Sequence, residues 1–264
     1  MTPPDAWTTL RLVEMVAAVA VIQGTLELLA TRRALADDGT WRWATLAREL
    51  RWLAPLLAYR PFLALLVARL ALAALLLAGV RPGVAPALWI TSLLVNIRFR
   101  GSSNGGSDMM QMVVLTALVV AHAAGPLGDW LGIPSGVLVS AALLYVAAQA
   151  MMSYFIAGVV KIINAPWRSG AALASFVATP HFGTPAALRR LLSGRTALLA
   201  ASWSVMLFEC LFPVAFLNPR LALVMVTIAG LFHLGNVAAF GLNRFLLAWA
   251  ATWPAVVHAS SLMP

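Results

Sequence analysis

The sequence predicts an all-α fold, a polytopic bundle of about eight transmembrane helices. Hydrophobic residues make up 62% of the 264 positions and charged residues only 10%, with a mean hydropathy of +0.89. A soluble domain is only about half apolar. The apolar runs reach ~20 residues, the length of a helix that crosses ~30 Å of hydrocarbon, without the alternation of barrel strands. We therefore interpret residues 1–264 as a single integral membrane domain.

Hydropathy divides the chain into eight predicted spans. Most are long enough to cross the hydrocarbon layer as a helix, and the third and the last are the shortest. The predicted spans cover about residues 11–31, 62–80, 84–98, 108–124, 137–161, 196–217, 220–241 and 244–258.

The basic residues predict the orientation of these spans. Most arginines lie between Arg32 and Arg60 or in the connection after Lys161, and positively charged loops face the cytoplasm. We therefore expect a multi-pass protein of a bacterial-type inner (plasma) membrane with its N-terminus outside. Residues 1–9 contain no basic side chain, so we expect the first apolar run to be retained and not cleaved as a signal. The net charge of +9 is explained by topology and anionic lipid rather than by nucleic acid.

Two connections have the pattern of helices that lie on the membrane surface. In residues 41–54 the apolar side chains recur at helical spacing, and charged residues such as Arg42 fall elsewhere on the helical wheel. Residues 184–193 begin with Pro185 and end before Gly194, which are helix start and stop signals. We predict one or two interfacial helices here.

Four acidic residues and one arginine of the predicted spans are candidates for a site. They are Glu14, Glu27, Arg69, Asp108 and Glu209. A charge in a span is costly, so each belongs either to a functional site or to an ion pair. A structural pair between Arg69 and Glu14 or Glu27 is one interpretation. Glu209 has no cation near it in the sequence, so it needs a partner, a proton or water.

Lys161 is the only lysine in the chain, and it ends the fifth span. A partly desolvated lysine can release its proton and act as a base, whereas an arginine stays protonated. Tyr154, Gly158 and Lys161 are spaced i, i+4, i+7 and share one helix face. Two interpretations stay open for each of the last two residues. Lys161 is a base or an interfacial anchor, and Gly158 makes room for a ligand or for a neighbouring helix.

Polar residues elsewhere extend the candidate site. Gly105, Gly106 and Asp108 lie in a glycine-rich connection, which either offers backbone donors to a ligand or forms a turn with an aspartate cap. His233 and Asn236 lie about one turn apart on the seventh span, a spacing that fits a pocket or a structural hydrogen bond. The histidines and acids lack metal-ligand spacing and there is one cysteine, so we predict no metal and no intrachain disulfide.

Three parts of the sequence together resemble the horizontally transferred transmembrane (HTTM) domain family, which includes the membrane domain of vitamin K-dependent carboxylase. The first is the start of a helix, where glycine, glycine and aspartate occur with one inserted serine. The second is a segment with tyrosine, alanine-glycine and lysine, followed by tryptophan and glycine. The third combines a helix that contains glutamate and proline with a helix that contains phenylalanine and histidine. The resemblance covers about residues 62–258. The matching segments are residues 105–108, 154–161 with 167–170, and 209–213 with 232–235.

The resemblance implies a membrane enzyme in which Lys161 is the catalytic base, with Glu209 and His233 as further catalytic residues. The implied cosubstrate is a reduced quinone, and the substrate is a peptide or a lipid-soluble molecule. The residues expected to bind substrate or cofactor are Tyr154, Gly158, Trp167, Asp108, Gly105, Gly106 and Asn236.

A second hypothesis is a membrane subunit without enzymatic activity. Such a subunit would help a partner membrane protein or a small peptide toxin to mature, to be exported or to be tolerated. It requires only the charge at Lys161, so an arginine would serve equally well. A small transporter is a weaker hypothesis, because the sequence shows no inverted repeat.

Overall fold

The computed structural model describes residues 5–46, 49–101 and 105–263. All regular secondary structure among these residues is helical, which confirms the predicted all-α class. The chain divides into two compact units: an N-terminal unit, which runs to Leu143 and includes Leu247–Pro254, and a C-terminal unit, which holds Leu144–Leu246 and resumes at Ala255. That the whole chain acts as one membrane domain stays a prediction.

The N-terminal unit begins with a capped helix. The Asp5 carboxylate accepts hydrogen bonds from the backbone nitrogens of Trp7 (2.8 Å) and Thr8 (2.9 Å), which otherwise have no partner in the first turn. The helices of this unit are α1 (Ala6–Ala30), α2 (Arg32–Leu35), α3 (Trp43–Leu46), α4 (Ala54–Leu57), α5 (Tyr59–Leu77), α6 (Val84–Arg98), α7 (Gly106–His122) and α8 (Ala124–Leu131).

Four long helices form the framework of the N-terminal unit. Helix α1 packs against α5 and α7, while α6 packs against α5 and α7. Apolar side chains from the end of α1, the start of α5 and the end of α6 form a core with the connection between α1 and α5, and this core excludes water. The buried members of this core are Leu28, Leu35, Trp43, Leu53, Leu57, Phe62, Leu66 and Val95.

The predicted interfacial helix over residues 41–54 is divided in the structure. It contains α3, a 3₁₀ turn at Arg51–Leu53 and the start of α4, while positions 47 and 48 lie outside the described residues. Trp43 and Leu53 are buried, so part of its apolar side packs inside its own unit.

Arg98 holds this connection in place. Its fully buried guanidinium donates to the carbonyl oxygen of Trp41 (2.8 Å). It also lies 5.5 Å from the ring centre of Trp43, 5.2 Å from that of Phe62 and 5.8 Å from that of Phe99. Aromatic faces attract a cation, so this arginine joins the connection to the end of α6.

The remaining helices belong wholly or partly to the C-terminal unit. Within that unit α13 packs against α10, α11 and α14. The side chain of Asn218 caps α14 by accepting a hydrogen bond from the nitrogen of Leu221 (3.0 Å). The helices are α9 (Ser135–Ile163), α10 (Ala165–Arg168), α11 (Ala171–Ala178), α12 (Ala186–Leu191), α13 (Arg195–Leu211), α14 (Pro219–Phe240), α15 (Asn243–Ala250) and α16 (Trp253–Ser261).

Five helical segments of the described chain are long and apolar enough to cross a membrane: α1, α5, α9, α14, and α13 with the turn after it to Phe216. Helices α7 and α8 meet the same criterion only as a pair bent by 58°, and α6 is a shorter apolar helix. These helices support a multi-pass membrane protein. The predicted number of eight spans is not confirmed.

The predicted last span, about 244–258, is two short helices in the structure. Helix α15 ends at Ala250 and α16 begins at Trp253. The Thr252 hydroxyl donates to the carbonyl oxygen of Trp249 (2.7 Å), and Pro254 has no backbone N–H with which to continue α15. Apolar composition alone does not detect such a break.

Candidate functional site

The candidate site begins where α9 meets α13 at Gly158. A Cβ atom at Gly158 would lie 2.7 Å from the backbone nitrogen of Cys210 and 2.9 Å from the Cβ of Glu209. Such distances are shorter than van der Waals contact, so only glycine allows the two helices to come this close. The space beside Gly158 is thus filled by α13, and the glycine sets the separation between Lys161 and Glu209.

Lys161 and Glu209 form a two-pronged ion pair next to this contact. The Lys161 Nζ atom donates to Glu209 Oε1 at 2.8 Å and to Oε2 at 2.7 Å. The Glu209 side chain is 5% exposed and that of Lys161 is 19% exposed. Glu209 has no cation near it in the sequence, and Lys161 is its cation partner in the structure. A buried pair of this kind is costly to keep unless both partners are well bonded.

Trp167 covers the ammonium group from the other side. Its ring centre lies 5.4 Å from Lys161 Nζ, within the range of a cation–π contact. The segment after α9 is tied to α13, because Ser202 Oγ donates to the carbonyl oxygen of Trp167 (2.6 Å) and Trp203 Nε1 donates to that of Arg168 (3.2 Å). Helix α13 therefore supplies the carboxylate and also positions the aromatic ring.

Gly170 lets this segment turn back onto α13. Its φ is +78°, a backbone conformation that favours glycine. A Cβ at this position would lie 3.3 Å from the backbone of Leu198. The family-like tryptophan and glycine thus have separate roles: Trp167 faces the lysine and Gly170 allows the close approach.

A second polar pair lies about two turns before Lys161 on the same face of α9. The Tyr154 hydroxyl is 2.8 Å from Nε2 of His233, and both residues are 3% exposed. The Tyr154 ring lies 4.2 Å from the ring of Phe212 and 5.4 Å from that of Phe208. Aromatic side chains at the end of α13 and in the 3₁₀ turn that follows it therefore hold the tyrosine against the histidine of α14.

The remaining predicted site residues lie on α14 and at the start of α7. Asn236 is half-buried on α14, and its carbonyl oxygen accepts the backbone bond that ends the helix at Gly241. Gly105, Gly106 and Asp108 lie in the N-terminal unit, where α7 begins at Gly106 and Asp108 is in its first turn. Positions 102–104 of the glycine-rich connection lie outside the described residues.

The charged residues of the N-terminal spans take part in two other networks. Arg69 is buried and donates to Thr25 Oγ1 (2.7 Å), Ser92 Oγ (3.2 Å) and Gln111 Oε1 (3.0 Å). Glu14, one of the two carboxylates suggested for Arg69, instead pairs with Arg11, Arg81 and His122.

Sequence analysis missed the residues that support the site from α13. Ser202, Trp203 and Phe208 are ordinary residues of an apolar helix, Phe212 begins the 3₁₀ turn after it, and no short motif marks any of them. A helical spacing of seven between Ser202 and Glu209 was available as a signal, because residues seven apart share one helix face.

The arrangement can hold and exchange a proton in an apolar setting. The ion pair contains an amine and a carboxylate within hydrogen-bond distance, and Val160 and Ile163 on the same helix are exposed where lipid would contact them. Lys161 and Trp167 are the residues able to bind a flat polar ring. His233 and Tyr154 form a separate donor and acceptor pair.

Comparison with known protein families gives one match. A family model described as the HTTM domain matches residues 138–260, a region that contains Tyr154, Lys161, Glu209 and His233. The resemblance predicted from the sequence is therefore confirmed over this region. No curated protein and no solved structure matches the chain significantly.

Proposed function

From the premise that residues 138–260 form an HTTM domain, we propose that this chain is a membrane enzyme that removes a proton from a lipid-soluble substrate, with Lys161 as the base. The observation that carries the proposal is the two-pronged contact between Lys161 and Glu209 inside an apolar helix pair. The molecule that loses the proton is a reduced quinone, and the molecule that is then modified is a peptide or another lipid-soluble substrate.

Glu209 supplies the means by which Lys161 becomes a base. Transfer of one proton along the 2.7 Å contact converts an ammonium and a carboxylate into a neutral amine and a carboxylic acid. Low polarity makes this transfer from the ion pair less costly than it is in water, because charges are costly to hold away from water. The free amine of Lys161 then accepts a proton from a substrate hydroxyl, while Glu209 keeps the first proton.

The residues around the ion pair fit a reduced quinone. Such a molecule supplies an ionisable ring hydroxyl. The Trp167 ring, 5.4 Å from Lys161 Nζ, offers a flat apolar surface for a ring. The exposed apolar side chains of Val160 and Ile163 give the isoprenoid tail a route from the bilayer. Tyr154 and His233 are close enough to each other to orient a second polar group through a shared hydrogen bond.

Orientation is part of the same proposal. The arginine distribution favours an N-terminus outside and the Lys161 end of α9 near the cytoplasmic face of a bacterial-type inner membrane. The reduced quinone would then reach Lys161 from the inner leaflet.

The alternative is a subunit without enzymatic activity that acts on a partner protein or peptide. The close contact at Gly158 and the doubly bonded Lys161 favour it, because both describe a clamp that joins α9 to α13. In this case the ion pair stabilises the helix pair and binds no cosubstrate.

Substitution of Lys161 separates the two functions. A short-chain reduced naphthoquinone is titrated into the protein in nanodiscs, and the bound fraction is measured for wild type, Lys161→Arg and Lys161→Ala. The enzyme proposal expects both variants to bind about tenfold or more weakly, since a lost hydrogen bond to a charged group costs about 1.5–3 kcal/mol. Equal binding by all three proteins, or no binding by wild type, would contradict the enzyme proposal and favour a subunit without enzymatic activity.

A further inference from the structure

Four ionisable side chains converge at one end of the N-terminal unit, away from the HTTM-matched site in the sequence. Arg11 and Glu14 lie near the start of α1, Arg81 lies between α5 and α6, and His122 is the last residue of α7. The four side chains lie at the level of the unit where α1 and α6 begin and where α5 and α7 end. In a membrane this level corresponds to the interface with the headgroups.

Glu14 is the centre of this cluster. Its side chain is 0% exposed, and both carboxylate oxygens are bonded. Oε1 accepts from Arg81 Nε (3.0 Å) and contacts His122 Nε2 (2.9 Å), and Oε2 accepts from Arg11 Nη1 (3.0 Å). Two guanidinium donors stabilise the ionised form of a carboxylate, so Glu14 carries a negative charge.

His122 contacts two members of the cluster. Its Nε2 lies 2.9 Å from Glu14 Oε1, and its Nδ1 lies 3.2 Å from the carbonyl oxygen of Arg81. The ring therefore joins the end of α7 to α1 and to the connection between α5 and α6.

The four side chains hold more positive than negative charge. Two guanidinium groups, those of Arg11 and Arg81, contact the single carboxylate of Glu14. The Asp5 carboxylate is engaged at the start of α1, where it accepts hydrogen bonds from the backbone nitrogens of Trp7 and Thr8. Asp129 on α8 is exposed and forms no ion pair with the cluster among the residues that the structure describes.

Arg81 has N–H groups that Glu14 does not bind. Only its Nε contacts Glu14, and within the described part of the chain its two Nη groups make no hydrogen bond. The side chain is 39% exposed, and its guanidinium lies 5.5 Å from the ring centre of Trp7. The neighbouring Arg11 is 31% exposed and also caps α5 by donating to the carbonyl oxygens of Leu76 and Leu77.

We propose that Arg81 and Arg11 bind the phosphate group of an anionic phospholipid at this end of the N-terminal unit. A guanidinium presents parallel N–H groups that match two phosphate oxygens. Glu14 fixes both arginines in position, and Trp7 is the type of residue that lies at headgroup level. The excess positive charge selects an anionic lipid over a zwitterionic one.

Lipid titration of the full chain tests this site. Phosphatidylglycerol, phosphatidylcholine or inorganic phosphate is added to the detergent-solubilised protein, and bound species are counted by native mass spectrometry. We expect saturable binding of phosphatidylglycerol and about tenfold weaker binding by Arg81→Gln, the cost of one charge-assisted contact. The control Arg220→Gln removes an exposed arginine at the start of α14 and should bind as wild type does.

Three results would overturn the proposal. They are equal binding of phosphatidylglycerol and phosphatidylcholine, unchanged phosphatidylglycerol binding by Arg81→Gln, and displacement of the lipid by equimolar inorganic phosphate, which would identify a free-anion site. If Arg81→Gln does not fold, Arg81→Lys serves instead. This variant keeps the charge but loses the paired N–H groups. The proposal therefore expects it to bind phosphatidylglycerol more weakly than wild type does, but more strongly than it binds phosphatidylcholine.

Discussion

At position 161 a lysine, and not one of the many arginines, faces a carboxylate inside an apolar helix pair. An arginine would make an equally good ion pair but would keep its proton under almost any condition. The bonds from Lys161 Nζ to both oxygens of Glu209 therefore give the pair something that an Arg–Glu pair lacks: a proton that can move between the partners.

Removing one partner of this pair should destabilise the protein more than removing both. We expect Lys161→Met to lower the free energy of unfolding by about 3–5 kcal/mol, because it leaves the Glu209 carboxylate buried without its cation. The double variant Lys161→Met with Glu209→Leu should recover most of that loss. Unfolding in mixed micelles measures wild type, both single variants and the double variant. A double variant whose loss equals the sum of the two single losses would show that the pair is not coupled.

Single-residue analysis identified both members of the pair but not the pairing. Lys161 was distinctive as the only lysine, and Glu209 as an acid without a cation nearby in sequence. They are 48 positions apart, and the rotation of α9 relative to α13 cannot be obtained from one sequence. The same limitation explains Glu14, whose partners lie on other helices and in a loop.

Among the structural elements, α9 and α13 form the contact on which the site depends. Gly158 brings the two backbones together, and the hydrogen bonds from Ser202 and Trp203 join α10, the short helix after α9, to α13 as well. Two points of attachment along one helix fix both its distance and its rotation. Lys161 lies between them, so its position is set by the helix pair.

Enlarging Gly158 should separate the helices and weaken the ion pair. Gly158→Ala places a methyl group 2.7 Å from the Cys210 nitrogen, and overpacking of this kind costs about 1–3 kcal/mol. Gly136→Ala on the same helix is the matched control, since no described atom lies within 4 Å of the added methyl. Thermal unfolding compares the two, and a Gly158→Ala protein as stable as Gly136→Ala would contradict the close contact.

Hydropathy predicted the long helices well and the irregular ones poorly. The span predicted over about 137–161 lies within α9, Ser135–Ile163, because a long apolar run has few alternatives to a membrane helix. The span predicted over about 244–258 is broken between α15 and α16. That break depends on local hydrogen bonds and on a proline position, neither of which changes the mean hydropathy.

For the whole molecule, the arginine distribution and the helix positions lead to a single proposed topology. The segments between α1 and α5 and between α9 and α13, together with Arg60 and Arg195 at the starts of the helices that follow them, carry most of the basic residues and would face the cytoplasm. The turn between α13 and α14 would face outward.

Cysteine accessibility tests this topology. In a Cys210→Ser background, we expect a membrane-impermeant maleimide to label Asn218→Cys in intact cells, and to label Thr40→Cys and Ser193→Cys only after lysis. All three positions are exposed in the structure, so burial does not confound the comparison. The opposite pattern would reverse the orientation of the chain.

The most direct test of the central claim is chemical labelling of Lys161 in the folded protein. The protein in nanodiscs is treated with an amine-reactive probe, and modification of the peptide that contains Lys161 is quantified by mass spectrometry with and without a reduced naphthoquinone. Glu209→Gln is the comparison, because losing the carboxylate removes the group that holds the ammonium form. We predict faster labelling in Glu209→Gln and protection of wild type by the quinone. Labelling that neither the quinone nor the Glu209 substitution changes would make Lys161 an interfacial anchor and would contradict a catalytic role.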